Sequence, residues 1–211
     1  MLASFPKYPF LSFLFLALLL TGSSSAFAMD LGGHDRDGVT VGLNLGAGWN
    51  SLEYTVPDVN GNPSTFETET AVDFQGGVNV GWARNDYLIG SLGVYGWKEG
   101  GWILGNPVTA STFHFLAEVH WFPRGEGFWL KGGAGWGTLD FSVVTPASRY
   151  IFQESGANYV AGAGYEFRIA DTAALGFAYD YRYLTVGAFE NFDDTKAFSH
   201  NASLVIRYYM D

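Results

Sequence analysis

The stretch Asn201-Ala202-Ser203-Leu204-Val205-Ile206-Arg207-Tyr208-Tyr209-Met210-Asp211 reads as a strand with two unlike faces. Successive strand side chains point to opposite sides. Ala202, Leu204, Ile206, Tyr208 and Met210 therefore share one face, and Ser203, Val205 and Arg207 share the other. Working outward, the same two-residue rhythm marks eight segments: 39–54, 68–83, 87–98, 109–122, 127–143, 155–169, 173–186 and 196–209. Each is longer than the roughly 9 to 11 residues a tilted strand needs to cross hydrocarbon. The connections 84–86, 123–126 and 170–172 are short, whereas 55–67, 99–108, 144–154 and 187–195 are longer and carry Pro, Gly, Asn and Asp.

Composition decides which face is turned outward. In a soluble barrel the non-core positions would carry Lys, Glu and Asp, yet the alternate positions here are mostly Gly, Ala, Ser and Asn. Charged residues are 15% of the chain and aromatics 18%, against roughly a quarter charged in an ordinary soluble domain. Turning the apolar face to lipid removes the conflict, so the expected fold is an all-β, eight-stranded, antiparallel up-and-down transmembrane β-barrel. Short turns then lie on the periplasmic side and long loops outside. Trp82, Trp121, Phe128, Phe167 and Tyr208 fall near the periplasmic rim, and Trp49, Trp136, Tyr181 and Tyr183 near the outer one, the two girdles that amphipathic rings form at headgroup level.

The N-terminus suits that destination. Lys7, the apolar run 10–20 and Ala26-Phe27-Ala28 have the order of a secretion signal, with cleavage expected before Met29. The expected organisation is a signal peptide over 1–28 and one outer membrane barrel domain over 29–211. The run is too short for a membrane-spanning helix. The chain has no Cys, so neither disulfides nor a lipid-modified N-terminal cysteine contributes.

Pairing Phe122 with Gly127 across the turn 123–126 sets Trp121 against Phe128, Val119 against Leu130 and Phe115 against Ala134 on the lipid side, and Glu118 against Lys131 inside. Such cross-strand pairing is favourable. For the third strand, either Leu88, Leu92 and Val94 or Ile89, Tyr95 and Trp97 can face lipid. The expected interior holds Asp73, Glu118, Lys131, Glu166, Arg168, Asp180, Arg182 and Arg207. These balanced charges suit either an ion path or a closed structural network. An eight-stranded barrel is just wide enough for side chains to fill, which favours the network. Gly133, Gly135, Gly162 and Gly164 on the same face either leave cavities or permit tight curvature.

Catalytic and metal motifs are weak. The glycine-rich run 132–137 lies within a strand rather than between strand and helix, so it does not suit phosphate cradling. Asp58-Val59-Asn60-Gly61-Asn62 lacks the downstream Glu of a calcium loop. Thr112, His114, Glu118 and His120 share the inward face, where packed polar groups explain them. Ser199 and Ser203 point away from His200. No catalytic, cofactor or metal residues are expected.

The segments Gly42-Leu43-Asn44-Leu45-Gly46-Ala47-Gly48-Trp49, Leu130-Lys131-Gly132-Gly133-Ala134-Gly135-Trp136 and Tyr159-Val160-Ala161-Gly162-Ala163-Gly164-Tyr165-Glu166-Phe167, with the secretion signal and final strand, resemble the porin-like outer membrane β-barrel domain family, small barrels of the OmpA, OmpX and OmpW kind. The resemblance implies a bacterial outer membrane location and the barrel assembly machinery as a partner in biogenesis. The aromatic end that resembles that machinery's signal is represented by Tyr208-Tyr209, followed here by Met210-Asp211.

The net charge is −10, and much of the excess falls in loops and leader, at Asp35, Asp37, Asp58, Glu67, Glu154, Glu190, Asp193 and Asp194. Nucleic acid needs clustered Lys and Arg and is not an expected partner. The expected surroundings are outer membrane lipid and lipopolysaccharide, with the protein a monomer. Trp102, Ile103 and Leu104 form an apolar cluster in the second outer loop, suited to surface contact or to folding onto the loop itself. A structural or surface-interaction barrel is the first functional expectation, a narrow channel for small apolar or ionic solutes the second, and a lipid-modifying enzyme a distant third.

Overall fold

The computed structural model describes residues 36–57, 62–67, 71–103, 106–125, 127–144, 149–186 and 193–210. The expected secretion signal and the 58–62 segment's Asp58 lie outside them. Among the described residues nine strands run in chain order: β1 (Gly38–Pro57), β2 (Pro63–Glu67), β3 (Ala71–Asn85), β4 (Leu88–Ile103), β5 (Asn106–Trp121), β6 (Phe128–Val144), β7 (Arg149–Ala170), β8 (Ala173–Val186) and β9 (Asp193–Met210). In the order β2-β1-β3-β4-β5-β6-β7-β8-β9 each strand pairs antiparallel with the next, and β9 returns to β1. β2 pairs only with the far end of β1, as the return limb of a hairpin leading into β3. The closed wall therefore has eight strands in up-and-down order.

The register fixes the barrel's shape. Around the wall, Gly42 pairs with Asn79, Asn79 with Gly93, Gly93 with Leu116, Leu116 with Gly135, Gly135 with Asn158, Asn158 with Leu184, Leu184 with Ala197, and Ala197 with Leu52. The circuit closes ten residues further along β1 than it began. With about 3.3 Å per residue and about 4.8 Å between strands, that stagger tilts the strands by about 40° and sets a wall radius of roughly 8 Å. Each residue then climbs about 2.5 Å along the axis.

This geometry sorts the aromatics. Trp82, Trp121, Phe128, Phe167 and Tyr208 are exposed on the outer wall, and the stagger puts them within roughly 4 Å of one level. Trp49, Trp136 and Tyr183 sit roughly 20 Å higher, with Tyr181 just below. Between them the wall shows Leu45, Val78, Leu92, Val119, Phe177 and Leu204 to the outside, a contiguous apolar band unsuited to water.

β4 settles the facing that its sequence left open. Ile89, Tyr95 and Trp97 are buried inside, whereas Leu88 and Leu92 are exposed and Val94 half-exposed outside. The β5–β6 hairpin departs from its expected register by two residues: Trp121 pairs with Leu130, Val119 with Gly132, Phe115 with Trp136, and His120, not Glu118, with Lys131. Phe122 and Gly125 close the turn through Gly125 N to Phe122 O at 3.1 Å, with Gly125 at φ 65°. Gly127 offers its carbonyl to Glu166 N of β7 instead of completing the hairpin. A shift of two keeps every side chain on its face, so the inside–outside reading stands while the partners change.

The long connections also differ from expectation. β4 continues to Ile103, β5 starts at Asn106, and β7 starts at Arg149. The 99–108 and 144–154 segments are therefore mostly hairpin ladder. Beyond the membrane both faces of a hairpin meet water, so apolar alternation fades while backbone pairing continues. Trp102 and Ile103 belong to this ladder; Leu104 lies outside the described residues.

Candidate functional site

The lumen is where chemistry-bearing side chains converge. Strand alternation points Glu118 and His120 of β5, Lys131 of β6, Glu166 of β7, Asp180 and Arg182 of β8, and Arg207 of β9 inward, and all are buried. Lys131 Nζ lies 3.3 Å from Glu118 Oε1 and 2.9 Å from Asp180 Oδ2. Arg182 donates to Asp180 Oδ2 at 3.1 Å and to Gln75 Oε1 at 3.2 Å. Tyr95 Oη donates to Glu118 Oε2 at 2.6 Å, and the Arg182 guanidinium lies over the Tyr95 ring at 4.2 Å. Gly93 and Gly77 leave room for that ring: a Cβ on either would come within 2.5 Å of it.

The Glu118–Lys131 pair survives the register shift because residues displaced by two along a ladder are diagonal neighbours, within reach of long side chains. Lys131 thus stands between two carboxylates, one from the adjacent strand β5 and one from β8, two strands away in the other direction.

A second cluster lies nearer the short-turn end. Arg207 Nη1 meets Glu166 Oε2 at 2.5 Å, and Tyr209 Oη donates to Glu166 Oε1 at 2.5 Å. Arg36, from the segment preceding β1, donates to Glu166 Oε1 through Nη2 at 3.1 Å. Its Nη1 reaches the carbonyls of Asp86 at 2.9 Å and Gly125 at 2.8 Å. The guanidinium lies over the Phe122 ring at 3.8 Å. His120 joins the clusters: Arg207 Nη2 donates to its Nδ1 at 3.1 Å, leaving the ring proton on Nε2, which stands 3.6 Å from Glu118 Oε2.

Two of the eight sequence-derived residues stand apart. Asp73 is half-buried and accepts from Asn50 Nδ2 at 3.5 Å, above the clusters. Arg168 hydrogen-bonds the carbonyl of Asp171 at the turn next to it. Both face inward, but each lies too close to a barrel end to meet the central charges. Arg36 lies outside the set that the sequence suggests because it precedes the alternating segment. Carrying the even-numbered inward phase of β1 back by two residues reaches it.

Apolar groups bracket these charges. Ile89, Phe122, Trp129, Ala174 and Tyr209 pack at the short-turn end, and Leu52, Trp97, Leu139, Leu184 and Val186 at the other. Beneath the latter, His114 Nε2 meets Thr112 Oγ1 at 2.7 Å and Nδ1 meets Asn158 Nδ2 at 2.8 Å. Both ring nitrogens of His114 are thereby held by neutral side chains. Among the described residues, no three His, Asp or Glu side chains gather as metal ligands.

The sequence model of a family described as the outer membrane protein beta-barrel domain matches residues 14–207. No curated protein matches the chain. Among solved structures, neisserial surface protein A is similar at 15% identity and TM-score 0.51, over 81% of this chain and 97% of that one. Ail, the attachment invasion locus protein of Yersinia pestis, solved with the heparin analogue sucrose octasulfate, is similar at 10% identity and TM-score 0.51, over 80% and 99%. OprG of Pseudomonas aeruginosa is similar at 14% identity and TM-score 0.50, over 86% and 99%. These likenesses are of fold.

Proposed function

As the chain belongs to the outer membrane protein β-barrel domain family, and so is a small bacterial outer membrane barrel, we propose that its role is structural or surface-interacting and that side chains fill its lumen. The observation that carries this reading is the unbroken line of contacts Arg36–Glu166–Arg207–His120–Glu118–Lys131–Asp180–Arg182–Gln75. An ion entering that line would have to break contacts between buried charges. Such breakage is costly where each charge depends on its partner, and the apolar groups at both ends add a further barrier.

On this reading the short turns face the periplasm, residues 1–28 are removed on export, and the 29–211 barrel is a monomer delivered by the barrel assembly machinery into lipid and lipopolysaccharide. The β1–β2, β4–β5 and β6–β7 hairpins project outward and offer backbone-ordered surfaces for contact. Nothing in this role calls for a cofactor, an enzymatic step or nucleic acid. Planar-bilayer recording tests it: the refolded barrel should give no stable large conductance. A steady porin-sized current would transfer the assignment to a narrow channel.

A further inference from the structure

The outer wall carries a groove that lumen chemistry does not explain. Tyr159, Val160 and Ala161 of β7, Tyr181 and Tyr183 of β8, and Lys196 and Phe198 of β9 line a cavity of about 520 Å³. The rings interlock: Tyr159 and Tyr183 are stacked at 6.3 Å between centroids, Tyr183 and Phe198 lie 5.2 Å apart, and Tyr181 and His200 4.9 Å apart. Tyr179 Oη is hydrogen-bonded to His200 Nδ1 at 2.6 Å.

Three features distinguish this sector. Among the described side chains of the upper outer wall, the hydroxyl-bearing rings Tyr159, Tyr181 and Tyr183 all belong to β7 and β8, with Tyr179 of β8 below them, whereas Trp49, Phe74, Phe113, Phe115 and Trp136 elsewhere at that level have no hydroxyl. Among the described residues, the groove's lining includes one cation, Lys196, and no carboxylate. Lys196 lies just above the upper aromatic level, where Glu53 of β1 holds its Nζ at 2.9 Å, each side chain 32% exposed. A concave, ring-walled surface facing hydrocarbon, with an ammonium at its headgroup end, fits an acyl chain below and an anionic headgroup above.

We propose that this groove binds one phosphorylated lipid of the outer leaflet, with an acyl chain against Tyr159, Tyr181 and Phe198 and a phosphate at Lys196. The site rests on the orientation proposed above, in which the long hairpins are extracellular. The Tyr hydroxyls and His200 supply polar contacts where chain meets headgroup, as amphipathic rings do at membrane interfaces. Glu53 acts as a competing anion that holds the ammonium over the groove until a phosphate takes it.

Native mass spectrometry of the detergent-solubilised protein, supplied with diphosphoryl lipid A or with phosphatidylethanolamine, tests this. The unmodified protein should retain lipid A preferentially. Lys196→Gln should lower that retention about tenfold, the effect of losing one charge-assisted contact, and Glu53→Gln should raise it. Both substitutions break the same ion pair, so a purely structural role would move them in the same direction; that result, or equal retention of the two lipids, overturns the proposal. A second copy of the chain in place of lipid would overturn it too. Retention reports on the outer wall and conductance on the lumen, so either proposal can fail while the other stands.

Discussion

Glu118 and Glu166 lie in one lumen and are held by different means. The partners of Glu118 are wall residues: Lys131 of β6, Tyr95 of β4 and His120 of its own strand, with Asp180 of β8 sharing the lysine. Glu166 takes Arg207 and Tyr209 from β9, but also Arg36 from the segment before β1. Arg36 in turn touches the turn after β3 and the turn after β5. The central cluster is therefore complete once the wall closes. The end cluster requires an extra piece of chain, and it ties the approach to β1 to two separate turns.

The largest expected effect tests how far the central cluster depends on one group. Lys131 serves Glu118 and Asp180 together, so Lys131→Met strands a buried carboxylate and should cost about 3 to 5 kcal/mol. Glu118→Gln leaves Lys131 its contact with Asp180 and should cost less. In the double change Asp180 retains Arg182, so the loss should fall below the sum of the two single losses. Urea unfolding in lipid vesicles, followed by heat-modifiable mobility, measures all three, and strictly additive losses would remove the coupling.

Arg36→Met tests the other side. Glu166 keeps Arg207, but the Asp86 and Gly125 carbonyls lose a charged donor. A loss of about 2 kcal/mol is expected, within the range for unmade buried hydrogen bonds. The same unfolding measurement applies, and it sharpens the comparison through the Arg36→Met, Lys131→Met double variant. His120 is the bridge between clusters, and its contact with Glu118 is long at 3.6 Å, so near-additivity is expected. Strong coupling would show that the two clusters behave as one.

The wall was legible in the sequence because one rule, the period of two, acts at every position that separates lipid from lumen. Even the two-residue error at the β5–β6 turn left Trp121 outside and Lys131 inside, since facing depends on parity and register does not. What parity cannot give is depth: Asp73 and Arg168 face inward like Glu118, and only the stagger of the whole barrel removes them from the centre. Nor does it give reach. Arg36 and the Glu53–Lys196 pair come together through closure of β1 on distant parts of the chain, a contact with no local signal. The hairpins beyond the membrane look like loops in the sequence because their two faces lose the apolar–polar contrast that marks a strand.

The smallest expected effect separates packing inside the central cluster from strand propensity. Gly93 and Gly90 sit on the same strand, three residues apart, facing opposite ways. A Cβ at Gly93 would lie 2.5 Å from the Tyr95 ring and 2.8 Å from its hydroxyl oxygen, whereas one at Gly90 meets nothing within 4 Å. Gly93→Ala should therefore push the Tyr95 hydroxyl away from Glu118 and cost about 1 kcal/mol, at the low end for overpacking. Gly90→Ala should stay within about 0.5 kcal/mol of the parent. Because Tyr95 belongs to Glu118's cluster alone, Gly93→Ala should add simply to Arg36→Met but not to Lys131→Met. If Gly93→Ala and Gly90→Ala were equally costly, the glycines would be serving the wall's curvature, and Tyr95 would have no special place beside Glu118.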